Sequence, residues 1–308
     1  MHKFILGLAG LMLFVLIIAT VFYYKDTKEL TYPPYSQINN EKQPEQTQTP
    51  DLQPVNVEDT ITYSLDNDDL NISYNRGETW TKVPVEKELL FSGEYNGNKQ
   101  TLIEDSYILK ENRAGFLYSD GPSWDNQSIL FVYSTDRGET WEESLVKETY
   151  SVMRFRKVDF LNEDFGYIII SGGRTMSAEG SHVFLTHDGG KSWEETSNSE
   201  VTRLISDGGF VDELTGFLSF GTINPEEPDL YVTENGGVSW NKAKMIIPEE
   251  YEQIFVTAEV PVKSEEELTV LVNQGPNGDY KGGSVKGKFI SNDNGKTWNF
   301  AEEVEPNE

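Results

Sequence analysis

The sequence predicts an all-β fold assembled from small repeated sheets, and three observations predict it. Five octapeptides share one pattern, Ser/Thr-x-Asp/Asn-x-Gly-x-Ser/Thr-Trp. They are Ser73-x-Asn75-x-Gly77-x-Thr79-Trp80, Ser134-x-Asp136-x-Gly138-x-Thr140-Trp141, Thr186-x-Asp188-x-Gly190-x-Ser192-Trp193, Thr233-x-Asn235-x-Gly237-x-Ser239-Trp240 and Ser291-x-Asp293-x-Gly295-x-Thr297-Trp298. Their tryptophans are 61, 52, 47 and 58 residues apart, a period that marks a repeat architecture. Apolar runs such as Ile129–Tyr133, Val183–Leu185 and Leu230–Val232 precede the pattern, so each copy reads as strand, tight turn, strand. A fainter repeat, Gly115-Phe116, Gly166-Tyr167 and Gly216-Phe217, lies 26, 27 and 24 residues before its tryptophan and adds a strand to three units.

Each part of the turn has a physical task. The Asp or Asn side-chain oxygen accepts backbone N–H groups inside the turn. The glycine takes a positive φ that a Cβ resists. The tryptophan opens the next strand and is large enough to fill the gap between neighbouring sheets. Asn in copies one and four makes the same bonds.

Along the chain, residues 1–3 precede an uncharged, Leu/Ile/Phe/Val-rich run from Phe4 to Tyr24. As a helix this run is about 31 Å long, the thickness of a bilayer core. It reads as an uncleaved anchor, since Ala19-Thr20-Val21 is a poor cleavage site; a cleaved signal peptide is the alternative. Lys3 before it and cancelling charges after it favour a cytoplasmic N-terminus and an exported remainder. Residues 25–58 hold five of thirteen prolines in a Gln/Glu/Thr mixture and read as a disordered tether. Unit one supplies three strands, at 61–65, 69–74 and 79–84. Units two, three and four each supply four. Unit five lacks the Gly-aromatic element, but Thr257–Val272 reads as two strands about the turn Lys263–Glu267. The repeat domain is thus expected over 59–301, with an acidic tail at 302–308.

About four short strands per ~50 residues is the blade of a β-propeller. The domain has room for five blades. Six, the alternative, would need a further unit between Pro84 and Ile108, which is too short. The octapeptide resembles the Asp-box, or bacterial-neuraminidase repeat, and the Gly-aromatic strand resembles that of photosystem II assembly-factor-type propellers. The resemblance covers about residues 60–300. It implies the fold and leaves function open.

The chain carries a formal charge of −27; its first 28 residues hold +2, so the rest holds −29. Phosphate-backbone binding and docking on anionic lipid both need the opposite sign, which argues against a nucleic-acid partner. There is no cysteine, and the only histidines are His2, His182 and His187, so a nitrogen/sulfur zinc site is not expected. No cofactor is expected. Asp66-Asn67-Asp68-Asp69 is the one stretch where calcium comes into question, and it lacks the glycine and distal glutamate of a loop site.

The enzyme class implied by the resemblance is the sialidases, which clamp a carboxylate with three arginines and use an Asp acid/base and a Tyr–Glu nucleophile pair. Guanidinium forks suit carboxylates. The candidates outside the turns are Arg113, Arg154, Arg156 and Arg203, but the family's Arg-Ile-Pro signature is missing and residues 59–72 contain no arginine. Against this stands a non-catalytic reading. The loops 121–127, 171–181, 222–228 and 273–284 all join a second strand to a third, so they share one end of the domain, where binding concentrates. Trp124, Arg174 and Tyr280 lie in them and suit a sugar or peptide. The expectation is a single-pass, anchored protein of a bacterial cell surface whose propeller binds or assembles with a protein or an envelope glycan; an exo-sialidase-like glycosidase is the alternative.

Overall fold

The computed structural model describes residues 52–175, 178–221, 224–264, 267–275 and 278–305. The apolar run 4–24 and most of the tether lie outside them. Among the described residues no helix is long and apolar enough to cross a membrane.

Among the described residues twenty-two strands form five sheets, built in chain order and antiparallel in all but one pairing. Sheet one holds β1 (Val55–Asn56), β2 (Thr62–Ser64), β3 (Asp69–Ser73) and β4 (Thr81–Glu86). One helical turn, α1 (Lys87–Leu90), follows. Sheet two holds β5 (Tyr107–Lys110), β6 (Arg113–Ser123), β7 (Asn126–Ser134) and β8 (Glu142–Tyr150). Sheet three holds β9 (Met153–Phe160), β10 (Gly166–Thr175), β11 (Ala178–Thr186) and β12 (Glu194–Glu195). Sheet four holds β13 (Leu204–Phe210), β14 (Gly216–Gly221), β15 (Asp229–Thr233) and β16 (Asn241–Lys242). Sheet five holds β17 (Lys244–Ile246), β18 (Phe255–Ala258), β19 (Val262–Ser264), β20 (Glu267–Gln274), β21 (Lys286–Ser291) and β22 (Thr297–Val304).

The octapeptide turns join the third strand to the fourth in sheets one to four, as the sequence predicts, and β21 to β22 in sheet five. Three boundaries differ. Sheet one gains a fourth strand from the expected tether, because Val55 and Asn56 pair with Tyr63 and Thr62. The expected acidic tail begins inside β22, where Glu302 faces Lys288 and Val304 faces Lys286. The expected first strand of unit five is split in two: β18 and β19 pair with opposite ends of β20, on either side of Glu259–Pro261. Residues 87–106 form α1 and turns rather than a sixth sheet.

Apolar residues alternate along the strands; sheets two, three and four each bury one face against the sheet before and the other against the sheet after, and sheets one and five bury one face against their single neighbour. Four clusters result. Ile72, Val83 and Phe116 join sheets one and two; Phe131, Ile168 and Phe184 join two and three. Ile169, Leu185 and Phe210 join three and four; Phe217, Leu230, Phe289 and Trp298 join four and five. The Gly-aromatic repeat has a steric cause. A Cβ on Gly166 would lie 2.6 Å from the Phe160 ring, and one on Gly216 would lie 2.6 Å from Phe210, so the glycine is the hollow that seats the ring.

The turn glycines lock sheet to sheet. Gly138, Gly190, Gly237 and Gly295 are buried. A Cβ there would meet Thr81 and Ile72 of sheet one (3.1 and 3.3 Å), Phe131 of sheet two (3.2 Å), Thr196 of the segment after sheet three (2.4 Å) and Phe217 of sheet four (2.3 Å) respectively. Gly77 is half-buried and has only its own Trp80 within 4 Å. Among the described residues no apolar cluster joins sheet five to sheet one.

This difference is testable. Gly237→Ala adds a Cβ at φ +79° against Thr196, whereas Gly77→Ala adds one at φ +84° beside a single ring. We expect Gly237→Ala to cost about 3 kcal/mol and Gly77→Ala about 1 kcal/mol. Thermal unfolding of both variants checks this; equal losses would contradict the sheet-to-sheet role.

Candidate functional site

The five turns share one hydrogen-bond set. In copy two, Ser134 Oγ accepts the Gly138 N–H (2.8 Å) and donates to Asp136 Oδ1 (2.8 Å). The same Oδ1 accepts the Thr140 N–H (2.8 Å), and Oδ2 accepts the Thr140 hydroxyl (2.6 Å). Copy three repeats this with Thr186, Asp188, Gly190 and Ser192. In copies one and four the amide replaces the carboxylate with one change of sign. Asn75 Nδ2 donates to Thr79 Oγ1 (2.9 Å) and Asn235 Nδ2 donates to Ser239 Oγ (2.9 Å), so the hydroxyl accepts instead. The Thr140 hydroxyl and N–H hold Asp136 down at about 2. At Asp188 desolvation pushes up, but the bonds from Ser192 and Thr186 outweigh it and leave the group at about 2. These carboxylates are occupied, ionised turn acceptors.

The four candidate arginines are also occupied, each by a different part of the protein. Arg113 donates to the Gly189 and Glu163 carbonyls (2.8 and 2.7 Å) with its guanidinium 3.9 Å over the Phe160 ring, stapling sheet two to sheet three. Arg154 forks onto the fully buried Glu179 and donates to the Ile205 carbonyl (2.7 Å), stapling sheet three to sheet four. Arg156, 3% exposed, donates to the carbonyls of Leu90 (3.2 Å), Ser92 (2.8 Å) and Tyr95 (3.2 Å). No carboxylate pairs with it among the described residues, and burial draws it down to about 10. Arg203 bonds Asp229 and the Tyr231 hydroxyl within sheet four. The structure does not bring the four together. A Tyr–Glu pair, Tyr133 with Glu142 (3.0 Å), does line a cleft of about 750 Å³ beside Arg113. Burial and Glu142 push that phenol up to about 12, away from the ionised form a nucleophile needs.

The three loop candidates also lie apart, in sheets two, three and five. Trp124, at the tip of the β6–β7 hairpin, is 64% exposed. Arg174 is paired with Glu94. Tyr280 is half-buried: its hydroxyl donates to Glu303 (2.7 Å) and its ring packs edge-on to Tyr251 and Phe255. Lys281, Tyr280 and Tyr251 together hold Glu303 at about 2, so Tyr280 fastens β22. The stretch considered for calcium is engaged too. Asp66 accepts from the Gln53 N–H (2.6 Å) and Ser64 Oγ (2.9 Å), and Asp69 pairs with Lys82 (2.7 Å). Among the described residues no cluster of three or more His, Cys, Asp or Glu is placed to hold a metal.

Sequence reasoning missed the segment after α1. Residues 87–106 form a strap that reaches from sheet one to sheets two and three. The Glu94 N–H bonds the Met153 carbonyl (2.7 Å), Gln127 Nε2 bonds Ser92 Oγ (3.2 Å), and Arg156 gathers three of its carbonyls. The strap presents Tyr95, 69% exposed, at the loop end that also carries Trp124. The one sequence signal was Gly93, where a Cβ would lie 2.1 Å from Arg156 Nη2.

A family model described as BNR/Asp-box repeat matches residues 132–143 and 289–300, the second and fifth turns with their flanking strands. The turns are BNR/Asp-box repeats. The chain is an all-β protein that carries BNR/Asp-box repeats. No curated protein matches its sequence. Similar solved structures include a protein of unknown function from Dyadobacter fermentans, with 16% identity over 64% of this chain and 67% of that one at a TM-score of 0.41. A GH74 xyloglucanase from Xanthomonas campestris matches at 14% identity, 79% and 36% coverage and a TM-score of 0.43. The sialidase of Trypanosoma rangeli in complex with sialic acid matches at 15%, 68% and 40%, and 0.41. The chain spans well under half the length of these two enzymes, and scores of this size carry no inference about activity.

Two outcomes follow for the Asp-box repeats and the strap. Asp136 and Asp188 have depressed pKa values, so their contribution is present above about pH 4 and is lost as pH falls through about 2. Asp188→Asn, the residue boxes one and four already use, should fold normally at pH 7 and lose less stability than the parent between those pH values in a melting series. Arg156→Leu leaves the buried Leu90 carbonyl and the half-buried Ser92 and Tyr95 carbonyls without their donor and should cost about 3 kcal/mol. Hydrogen exchange should quicken in residues 87–106 while β10 and β11 keep their protection; unchanged exchange in the strap would refute the pinning.

Proposed function

We propose that this chain is a membrane-anchored, extracytoplasmic binding or assembly module whose ligand is a protein or an envelope glycan. One observation carries the reading: all four arginines that were candidates for a carboxylate clamp are already engaged by carbonyls and carboxylates of the protein itself. In this reading the five sheets are the blades of a five-bladed propeller, residues 4–24 anchor it, and the Pro/Gln-rich stretch holds it off the membrane. The ligand meets the loop end through Trp124 and Tyr95. Both are large, exposed and amphipathic, and an aromatic ring offers contact area at little conformational cost.

The test uses the full-length chain in detergent. It is incubated with fluorogenic glycosides, a sialoside included, and its binding to immobilised envelope glycans and to candidate envelope proteins is measured. The expected result is no fluorophore release, together with binding that falls roughly tenfold or more in the Trp124→Ala/Tyr95→Ala double variant. Turnover of a glycoside, abolished by Arg113→Ala in the cleft that holds Tyr133 and Glu142, would replace this reading with the glycosidase.

A further inference from the structure

A second surface lies at the opposite end of the sheets, where the Asp boxes and the first hairpins turn. The hairpin turns of sheets two, three and four align through their glycines Gly115, Gly166 and Gly216. Position for position, Lys110 in sheet two matches Leu161 in sheet three and Val211 in sheet four, and Arg113 matches Asp164 and Leu214. The Asp boxes have one such position of their own, before the final Ser/Thr. It is Glu78, Glu139, Lys191 and Lys296 in four boxes and Val238 in the fourth. Three turn positions that carry charge in sister repeats are therefore apolar around one corner of the domain: Leu161, Leu214 and Val238. They are 41%, 60% and 69% exposed.

They are also neighbours. Leu161 and Leu214 border one open cleft of about 600 Å³, with the buried Phe165 ring between them. The Gly236 N–H bonds the Leu214 carbonyl (2.9 Å), which sets box four, and Val238 with it, beside that turn. Asp212 and Glu213 line this cleft, while Glu163 and Asp164, in the sister turn, line the neighbouring cleft with Arg113. Among the described residues only Asp212 has an ion-pair partner there, Lys263 at 2.5 Å. Exposed leucines occur singly on any protein. Three apolar replacements at charged positions of a repeat, gathered on one cleft, are a patch with a use.

We propose that this corner, where the turns of sheets three and four meet box four, docks a cationic segment of a partner protein that carries a bulky apolar anchor. The anchor enters between Leu161 and Leu214, and Lys or Arg side chains beside it meet Glu213 and Asp212. Charge selects this occupant. An anionic membrane is repelled by the rim, and a second copy meeting the same patch would oppose acid to acid.

The probe is a fluorescein-labelled peptide of about twelve residues, rich in Lys and Arg, with leucines one helical turn apart. Its control has serine in place of leucine. Fluorescence polarisation with the full-length chain should give saturable binding to the leucine peptide and binding roughly tenfold weaker to the control. Leu214→Asp and Val238→Glu, which restore the sister residues, should each weaken the leucine peptide about tenfold, while melting curves overlay because both side chains are exposed. Trp124→Ala, at the other end, should leave this binding unchanged, which separates failure here from failure of the loop-end reading. Absence of binding, equal binding by Leu214→Asp, or a dimer in sedimentation that Leu214→Asp dissolves would each overturn the proposal.

Discussion

In each of the five turns a Ser or Thr hydroxyl accepts the N–H of the glycine four residues on and donates to the Asp or Asn between them. That pair of bonds closes the turn and fixes the glycine at positive φ. In turns two, three and five it also sets the turn's backbone, with no Cβ in the way, directly against the sheet before it, and in turn four against Thr196. The tryptophan that follows completes the contact. Trp193 donates to Ser144 Oγ of sheet two (3.1 Å) and lies edge-on to Phe131; Trp240 donates to the Ser197 carbonyl (3.1 Å); Trp298, fully buried, packs on Phe217. Local turn chemistry and long-range packing are thus one device. The interchange of Asp and Asn among boxes follows, since the partner hydroxyl donates to one and accepts from the other.

The arginines extend the same logic. A guanidinium carries five donors in a rigid fork, so one side chain can satisfy several carbonyls that a junction of sheets would otherwise bury unpaired. Arg113 and Arg156 do this at two junctions, and Arg154 satisfies one carbonyl at a third. Arg154 also ends on a buried carboxylate, Glu179, which accepts the Ile205 N–H (3.1 Å) as well. Breaking such a pair leaves a charge without its partner, so these residues fix the relative placement of neighbouring sheets. Arg113 in one unit and Arg154 and Arg156 in the next fit a substrate clamp by residue type alone; their placement has this structural origin.

The legible features were those with a local cause. Box turns, Gly-aromatic strands and the two strands on either side of Lys263–Glu267 each depend on a few adjacent residues, and the sequence displays them. The strap was illegible because nothing local holds it. Its carbonyls are gathered by Arg156, about sixty residues away, and its fold follows from that side chain rather than from propensity. β1 escaped notice for a related reason: two residues of Val55-Asn56 pair with β2 without any periodic pattern of their own. Tyr280 misled as an exposed stacking residue because its loop is glycine-rich, yet Glu303, beyond the last box, turns its hydroxyl inward. Trp124 read correctly as exposed, since its hairpin tip has no apolar neighbour in sequence.

A chain of sheets must also protect its outer edges, because an exposed strand edge pairs with whatever it meets. Sheets three and four do so by brevity: β12 and β16 are two residues each. Sheet two keeps a nine-residue edge, β8, but shifts of register against β7 interrupt its ladder. Sheet five needs another solution, since β22 is eight residues long and in register with β21 along most of its length. There the chain lays β17 parallel along the outer side of β22, with Lys244 opposite Thr297 and the Lys244 N–H on the Lys296 carbonyl (2.8 Å). The segment that covers the edge is the one leaving sheet four, so a single three-residue strand both closes the last sheet's edge and ties it to its neighbour. The box four turn sits just upstream of this tie, which makes the corner around Leu214 and Val238 a rigid platform rather than a loose loop. A rigid, apolar-floored, acid-rimmed corner loses little conformational entropy when a partner seats on it.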